Sequence, residues 1–168
     1  MQKYRNKKRE YQSEEEERAG ARKKALALLL DMDRTESGLR DRLLRSGFSE
    51  EAAADALEYV RGYGYVDDER YARHYVEVSR AKKSLRRIEY ELGKKGLSRE
   101  QIDAAISESA DLNERPLIRE LALKKLRHMD SGDPSAMRKL AAYLGRQGFR
   151  TEDVMHVMEE VGHGDGSL

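Results

Sequence analysis

Between Arg80 and Gly96 the chain carries Arg80, Lys82, Lys83, Arg86, Arg87, Lys94 and Lys95 against only Glu89 and Glu91. Cations at this density can hold phosphates or acidic side chains, and positions 83, 86, 87 and 94 fall near one helical face. A plain solvated face is the competing reading. Tyr59, Tyr63, Tyr65, Tyr71 and Tyr75 crowd the preceding segment. Exposed rings can stack on nucleobases, but packing with the hydroxyls at the surface is the preferred reading. Asp67 and Asp68 make a carboxylate pair that a helix start explains adequately.

The other chemistry-bearing types exclude more than they offer. The absence of Cys removes disulfides and thiolate metal sites. His74, His128, His156 and His163 share no ligand spacing with one another or with a carboxylate pair. There is neither a Gly-rich phosphate loop nor a nucleophile elbow. The expectation is a protein that is not an enzyme and takes no metal or cofactor. No apolar run approaches the roughly 18 residues of a membrane span, and the N-terminus has no apolar signal core. These features predict a cytoplasmic chain without a membrane partner. Formal net charge is only +1, so bulk charge does not announce a polyanion. Its distribution says more: Asp31 to Gly64 is mildly acidic and Arg80 to Gly96 basic, a polarity suited to orienting on a charged filament or groove.

The elements that must position these residues are marked by a cassette that occurs three times. A helical run ends in Gly plus a bulky apolar residue, and another run follows at once. The copies are Leu39-Arg-Asp-Arg-Leu43-Leu-Arg-Ser-Gly47-Phe48, Ile88-Glu-Tyr-Glu-Leu92-Gly-Lys-Lys-Gly96-Leu97 and Leu140-Ala-Ala-Tyr-Leu144-Gly-Arg-Gln-Gly148-Phe149. Glycine can take the left-handed conformation that closes a helix, and the next apolar residue packs back on the last turn. Five residues before Phe48, Leu97 and Phe149 stand Leu43, Leu92 and Leu144, so each copy supplies the expected partner. Ser49 and Ser98 suit the caps of the following helices, and Gln101 completes a capping box with Ser98. In the third copy Arg150 stands at the cap and Thr151 follows, which predicts a helix starting one residue late. Aligned on the glycines, apolar residues recur at −8 (Leu39, Ile88, Leu140), −4 and +1, and at +10 (Leu57, Ile106, Met158).

Tandem helical copies predict an all-α chain of three three-helix units in a repeat array. The expected divisions are a charged mobile tail over 1–20 and units over 21–64, 65–112 and 113–161. A disordered terminus over 162–168 completes the scheme. Ala25, Leu26, Leu29 and Leu30 mark the first helix, with Asp33 and Glu36 at the start of the second. Tyr71, Tyr75 and Val78 mark the fourth, and Asp133-Pro134 predicts a cap followed by proline at the first helical position. The structural caps expected overall are Gly47, Gly96, Gly148, Asp67, Ser84 and Ser98.

Three stretches carry a family resemblance that covers about Ala21 to Val161. They are Arg45-Ser-Gly-Phe48, Gly64-Tyr-Val-Asp-Asp-Glu-Arg-Tyr-Ala72 and Arg87-Ile-Glu-Tyr-Glu-Leu-Gly-Lys-Lys-Gly-Leu97. In this order on a helical array, the chain resembles the RecX family, regulators of the RecA recombinase. It departs from many members in having Lys83-Ser84 where they have Gly-Pro. The resemblance implies three stacked three-helix units in an elongated, bent array that lodge in the groove of the recombinase filament on single-stranded DNA and limit its activity; a monomer is expected. The residues alone leave two alternatives open. One is a tandem helix-turn-helix protein for duplex DNA; the other is a protein-interaction scaffold without nucleic acid.

Overall fold

The computed structural model describes residues 11–108, 113–129, 133 and 135–163, and it is all helical over those residues. The helices are α1 (Glu14–Asp31), α2 (Glu36–Arg45), α3 (Glu50–Gly62), α4 (Asp68–Ser79), α5 (Leu85–Lys94), α6 (Arg99–Ser107), α7 (Arg115–Leu126), α8 (Ala136–Arg146) and α9 (Thr151–His163). Each cassette glycine closes a helix with positive φ: 90° at Gly47, 85° at Gly96 and 90° at Gly148. The Phe48 and Leu97 amides donate to the carbonyls of Leu43 and Leu92, the six-residue bond of a Schellman closure. A fourth closure, Gly64 with φ 70°, ends α3 the same way, Tyr65 N–H reaching the Val60 carbonyl. The Gly-plus-bulky doublet Gly64-Tyr65, five residues after Val60, carried that signal in the sequence.

The −8 and −4 positions are the most buried of the repeat: Leu39, Leu43, Ile88, Leu92, Leu140 and Leu144 are all 0% exposed. The stripe beyond each glycine lies at +6 and +9 (Ala53 and Ala56, Ile102 and Ala105, Val154 and Val157), all buried. At +10, Leu57 and Ile106 are only half-buried. Alanine takes the inward positions in the first copy, and its weak apolar signal hides them from an alignment of large residues.

By compactness the chain divides in two. One unit is the chain up to Ala72 with Leu92–Ile102, and the other is Arg73–Glu91 with the chain from Asp103 onward. In the first, α1 packs chiefly on α3, with Ala21 and Ala25 in the same core as Ala52, Ala53 and Ala56. The inward face of α1 is therefore Ala21, Ala25 and Leu28, while Leu30 is 90% exposed. The tail expected over 1–20 ends sooner, because α1 already begins at Glu14 with Ser13 accepting the Glu16 amide. Tyr11 stacks on Phe48 with centroids 5.8 Å apart, and Glu17 accepts the Ser49 amide at 2.7 Å and its hydroxyl at 3.0 Å. Arg22 meets Asp55 through two 2.7 Å hydrogen bonds, the largest cause of that carboxyl's lowered pKa. Charges that look solvated in the sequence thus fasten α1 to α3. Residues 1–10 of the expected tail lie outside the described residues.

Thr35, not Asp33, caps α2, and its hydroxyl accepts the Gly38 amide at 3.0 Å. The same hydroxyl donates to the Lys95 carbonyl at 2.7 Å, and Asp68 accepts the Glu36 amide at 2.8 Å. A Cβ on Gly96 would collide with Ser37. The second unit repeats this joint twelve residues before the next glycine. Ser84 accepts the Arg87 amide at 3.1 Å, its own amide donates to the Gln147 carbonyl at 3.1 Å, and Glu114 accepts the Leu85 amide at 2.6 Å. A Cβ on Gly148 would lie 2.8 Å from Arg87 Cβ. Thr35 and Ser84, 3% and 0% exposed, are thus polar residues buried to join one cassette to the next. Replacing Ser84 by Ala is expected to lower unfolding free energy by about 1–2 kcal/mol in a urea titration. A loss below about 0.5 kcal/mol would show that the hydroxyl is dispensable.

Four further expectations are corrected. In α4 the buried face is Ala72, Val76 and Ser79, with Val78 60% exposed. The third cassette keeps register, since α9 starts at Thr151 and the Val154 amide reaches the Arg150 carbonyl. Helix α8 starts at Ala136 and not at Pro134, which lies outside the described residues. Asp133 instead accepts from Ser135 N–H, Ser135 Oγ and Lys139 Nζ. Helix α9 runs on to His163, past the expected start of the disordered terminus; residues 164–168 lie outside the described residues. The second unit's core is Ile118, Leu121 and Ala122 of α7 with Leu140, Leu144, Phe149, Val154, Val157 and Met158.

Candidate nucleic-acid interface

Helix α5 is strongly two-sided because Ile88 and Leu92 face inward, which sets Arg86, Arg87, Tyr90 and Glu91 around the remaining surface. Three side chains converge on Glu91: Lys83 Nζ at 2.6 Å, Tyr75 hydroxyl at 2.6 Å and Arg87 Nε at 2.9 Å. Burial pushes the Glu91 carboxyl up, but the hydrogen bonds from Lys83, Tyr75 and Arg87 outweigh it and bring its pKa to about 2. The Glu91 hydrogen bond is the main reason the Lys83 ammonium pKa is raised. Arg87 also donates to the Arg146 carbonyl, so one guanidinium braces α5 against the end of α8.

The seven predicted cations therefore divide by role. Lys83 and Arg87 are tied to Glu91. Lys82, Arg86 and Lys94 are exposed, and Arg80 is half-buried. Lys94 and Lys95 belong to the other compact unit, where the Lys95 ammonium lies 5.6 Å from the Tyr71 ring centroid. Among the described residues Lys82 and Arg86 make no ion pair. Beside Arg86 runs an open groove of about 530 Å³, lined by Arg86, Arg87, Tyr90 and Glu91 of α5 and by Gly145 and Arg146 of α8. Gly148, Phe149 and Thr151 complete it. Tyr90 and Arg146 lay outside the sequence-based site. The i, i+4 pairing of Arg86 with Tyr90 was a usable signal for the first, but nothing local connects Arg146 to α5.

The other candidates find structural employment. Asp67 accepts the Arg70 amide at 2.9 Å and starts α4, and Ser98 accepts the Gln101 amide at 3.2 Å. Asp68 serves α2 as described, with burial raising its carboxyl pKa. The Tyr75 hydroxyl is bound to Glu91 and not left at the surface. Tyr59, Tyr63 and Tyr65 form a ladder with centroids 4.9 and 5.9 Å apart, and Tyr63 and Tyr65 are more than half exposed. His74 and His156 lie 3.9 and 3.3 Å from Glu77 and Glu160 on their own helices. Among the described residues no group of three or more His, Asp or Glu is placed to hold a metal ion. No helix there is long and apolar enough to cross a membrane.

Fold and surface together define a class: a helical-repeat protein with a basic groove along one compact unit. The family models that match are the first three-helix domain of RecX over residues 21–59 and the second over 67–106. A regulatory protein RecX from Clostridium acetobutylicum is 31% identical over 88% of this chain and 72% of its own length. One from Trichlorobacter lovleyi is 33% identical over 81% of this chain and 92% of its own. A crystal structure of regulatory protein RecX superposes with a TM-score of 0.68 at 26% identity, covering 86% of this chain and 73% of that one. The RecX of Lactobacillus salivarius shares the fold, with a TM-score of 0.67 at 20% identity over 87% of this chain and 97% of that one. This chain belongs to the RecX family of regulatory proteins.

Proposed function

We propose that this chain regulates a RecA-type recombinase, mainly as an inhibitor, by binding the groove of the recombinase filament on single-stranded DNA. On this reading it works as a monomer in the cytoplasm, with three-helix units over 21–64, 65–112 and 113–161. The single observation that carries the reading is the basic α5 surface within a chain of this family. Lys82 and Arg86 are exposed and unspent on internal ion pairs, as a polyanion-facing surface requires. Lys83 and Arg87 support that surface through Glu91, and Arg80 belongs to the same compact unit, whereas Lys94 and Lys95 belong to the other.

The test is DNA-dependent ATPase of the cognate recombinase on preformed single-stranded filaments, titrated with this protein. Substoichiometric inhibition is expected. Replacing Lys82 and Arg86 together by Ala should raise the half-inhibitory concentration about tenfold, each lost phosphate contact weakening a salt-dependent affinity, with helicity unchanged. ATPase unaffected by the parent protein, together with tight sequence-selective binding to duplex, would replace this reading by a helix-turn-helix one.

A further inference from the structure

Gly145 has no structural reason to be glycine. It lies inside α8, outside the left-handed region that Gly47, Gly64, Gly96 and Gly148 occupy. A Cβ built on it would meet nothing within 4 Å. In a helix interior glycine is weaker than alanine, because it loses more backbone freedom on folding. Gly62 and Gly93 are helical glycines with equally open space, so glycine alone marks no site; at Gly145 the bare backbone matters because it lines a groove with charged side chains around it.

The surroundings say what kind of chain. Gly145 lines the groove with Arg86, Arg87 and Arg146, and among the described residues the only carboxylate lining it is Glu91, already bound by Lys83 and Arg87. Arg86 and Arg146 make no ion pair among the described residues, so the groove carries uncompensated positive charge. Tyr90 stands one turn beyond Arg86 on the same face of α5, 62% exposed. Two unspent guanidinium groups, an exposed ring and a bare stretch of helix match a polynucleotide, whose phosphates and base faces need these partners together. Arg87 is the brace that holds the two walls, through Glu91 on α5 and the Arg146 carbonyl on α8.

We infer that this groove, between α5 and the α8–α9 turn, is where the protein holds single-stranded nucleic acid. Arg86 and Arg146 take phosphates, Tyr90 takes a base, and Gly145 gives the strand room to pass. The inference rests on the filament reading and assigns the strand contact to this place in the fold.

The experiment measures binding of the full chain to fluorescein-labelled oligothymidylate across a salt series, beside inhibition of the recombinase filament. Gly145→Gln adds a helix-favouring side chain and no charge. Its melting temperature should equal or exceed the parent's by about 2–4 °C, while binding of the strand falls at least tenfold. Arg86→Gln with Arg146→Gln should reduce the salt slope by about 1.4, at about 0.7 per phosphate on a single strand. Tyr90→Ala should weaken binding about fivefold to a hundredfold with the salt slope unchanged. Parental strand binding by these folded variants, with filament inhibition intact in the parent, would overturn the groove and leave the regulator standing. Variants that bind bare strand normally but fail on the filament would hand the groove to an acidic segment of the recombinase, which also overturns it. A parent protein that binds neither strand nor filament would overturn both.

Discussion

Gly96→Val is expected to lower the melting temperature by about 5–15 °C, from a loss of about 2–5 kcal/mol. Two independent costs add. The backbone at Gly96 has φ 85°, where a β-branched side chain pushes Cβ against its own carbonyl. The new Cβ would also occupy the space of the Ser37 side chain, which the Thr35 cap and its bond to the Lys95 carbonyl hold close. Ser37 cannot retreat without disturbing the start of α2, so both ends of the joint suffer. Gly93→Ala, three residues earlier in α5, is the matched control. Its φ is not positive and its Cβ meets nothing within 4 Å, so it should be neutral or stabilising by up to about 1 kcal/mol. Calorimetry of the three proteins decides the matter. If Gly96→Val and Gly93→Ala melt alike, neither the left-handed cap nor the tight approach to Ser37 matters to stability.

This contrast shows why part of the fold was legible in the sequence and part was not. Gly93 lies inside α5 and Gly96 just past its end, and in the sequence only the doublet with Leu97 and the partner Leu92 distinguishes the cap. Features of that range, within one turn of helix, are written locally: the closures at Gly47, Gly96 and Gly148, the caps at Ser84 and Ser98, and the inward leucines at −8 and −4. What the sequence hides is what connects distant turns. Thr35 reaches Lys95 across 60 residues, Leu85 reaches Glu114 across 29, and Arg87 reaches Arg146 across 59. No periodicity reports such pairs. The basic run was equally visible as composition and equally incomplete as a site. Counting charges makes Glu91 a subtraction from the patch, whereas its geometry makes it the centre that fixes Lys83 and Arg87 and leaves Arg86 outward. Arg146 is indistinguishable in the sequence from any arginine at the end of a helix.

That central role gives Glu91 the second large effect. Its carboxyl is 20% exposed and bound by Lys83, Arg87 and Tyr75, with a folded pKa of about 2 against an ordinary value of 4.5. Because the folded value lies below the unfolded one, the ionised group stabilises the fold fully above about pH 4.5, and that contribution is lost as pH falls toward 2. Its size is on the order of 3 kcal/mol, from the displacement between the two values. Glu91→Gln keeps the shape and an oxygen for the Tyr75 hydroxyl, but leaves Lys83 and Arg87 half-buried without a counter-charge. Urea unfolding of both proteins across the acid range should show a gap of about 3 kcal/mol at neutral pH that closes as pH approaches 2. Arg40→Gln is the control: its ion pair with Glu50 is exposed on both sides, so its effect should stay below about 1 kcal/mol. A Glu91→Gln gap that stayed constant with pH would mean the loss came from packing alone. A gap that closes would identify the ionised carboxylate as the group that holds α5's cations in place, and with them the wall of the groove.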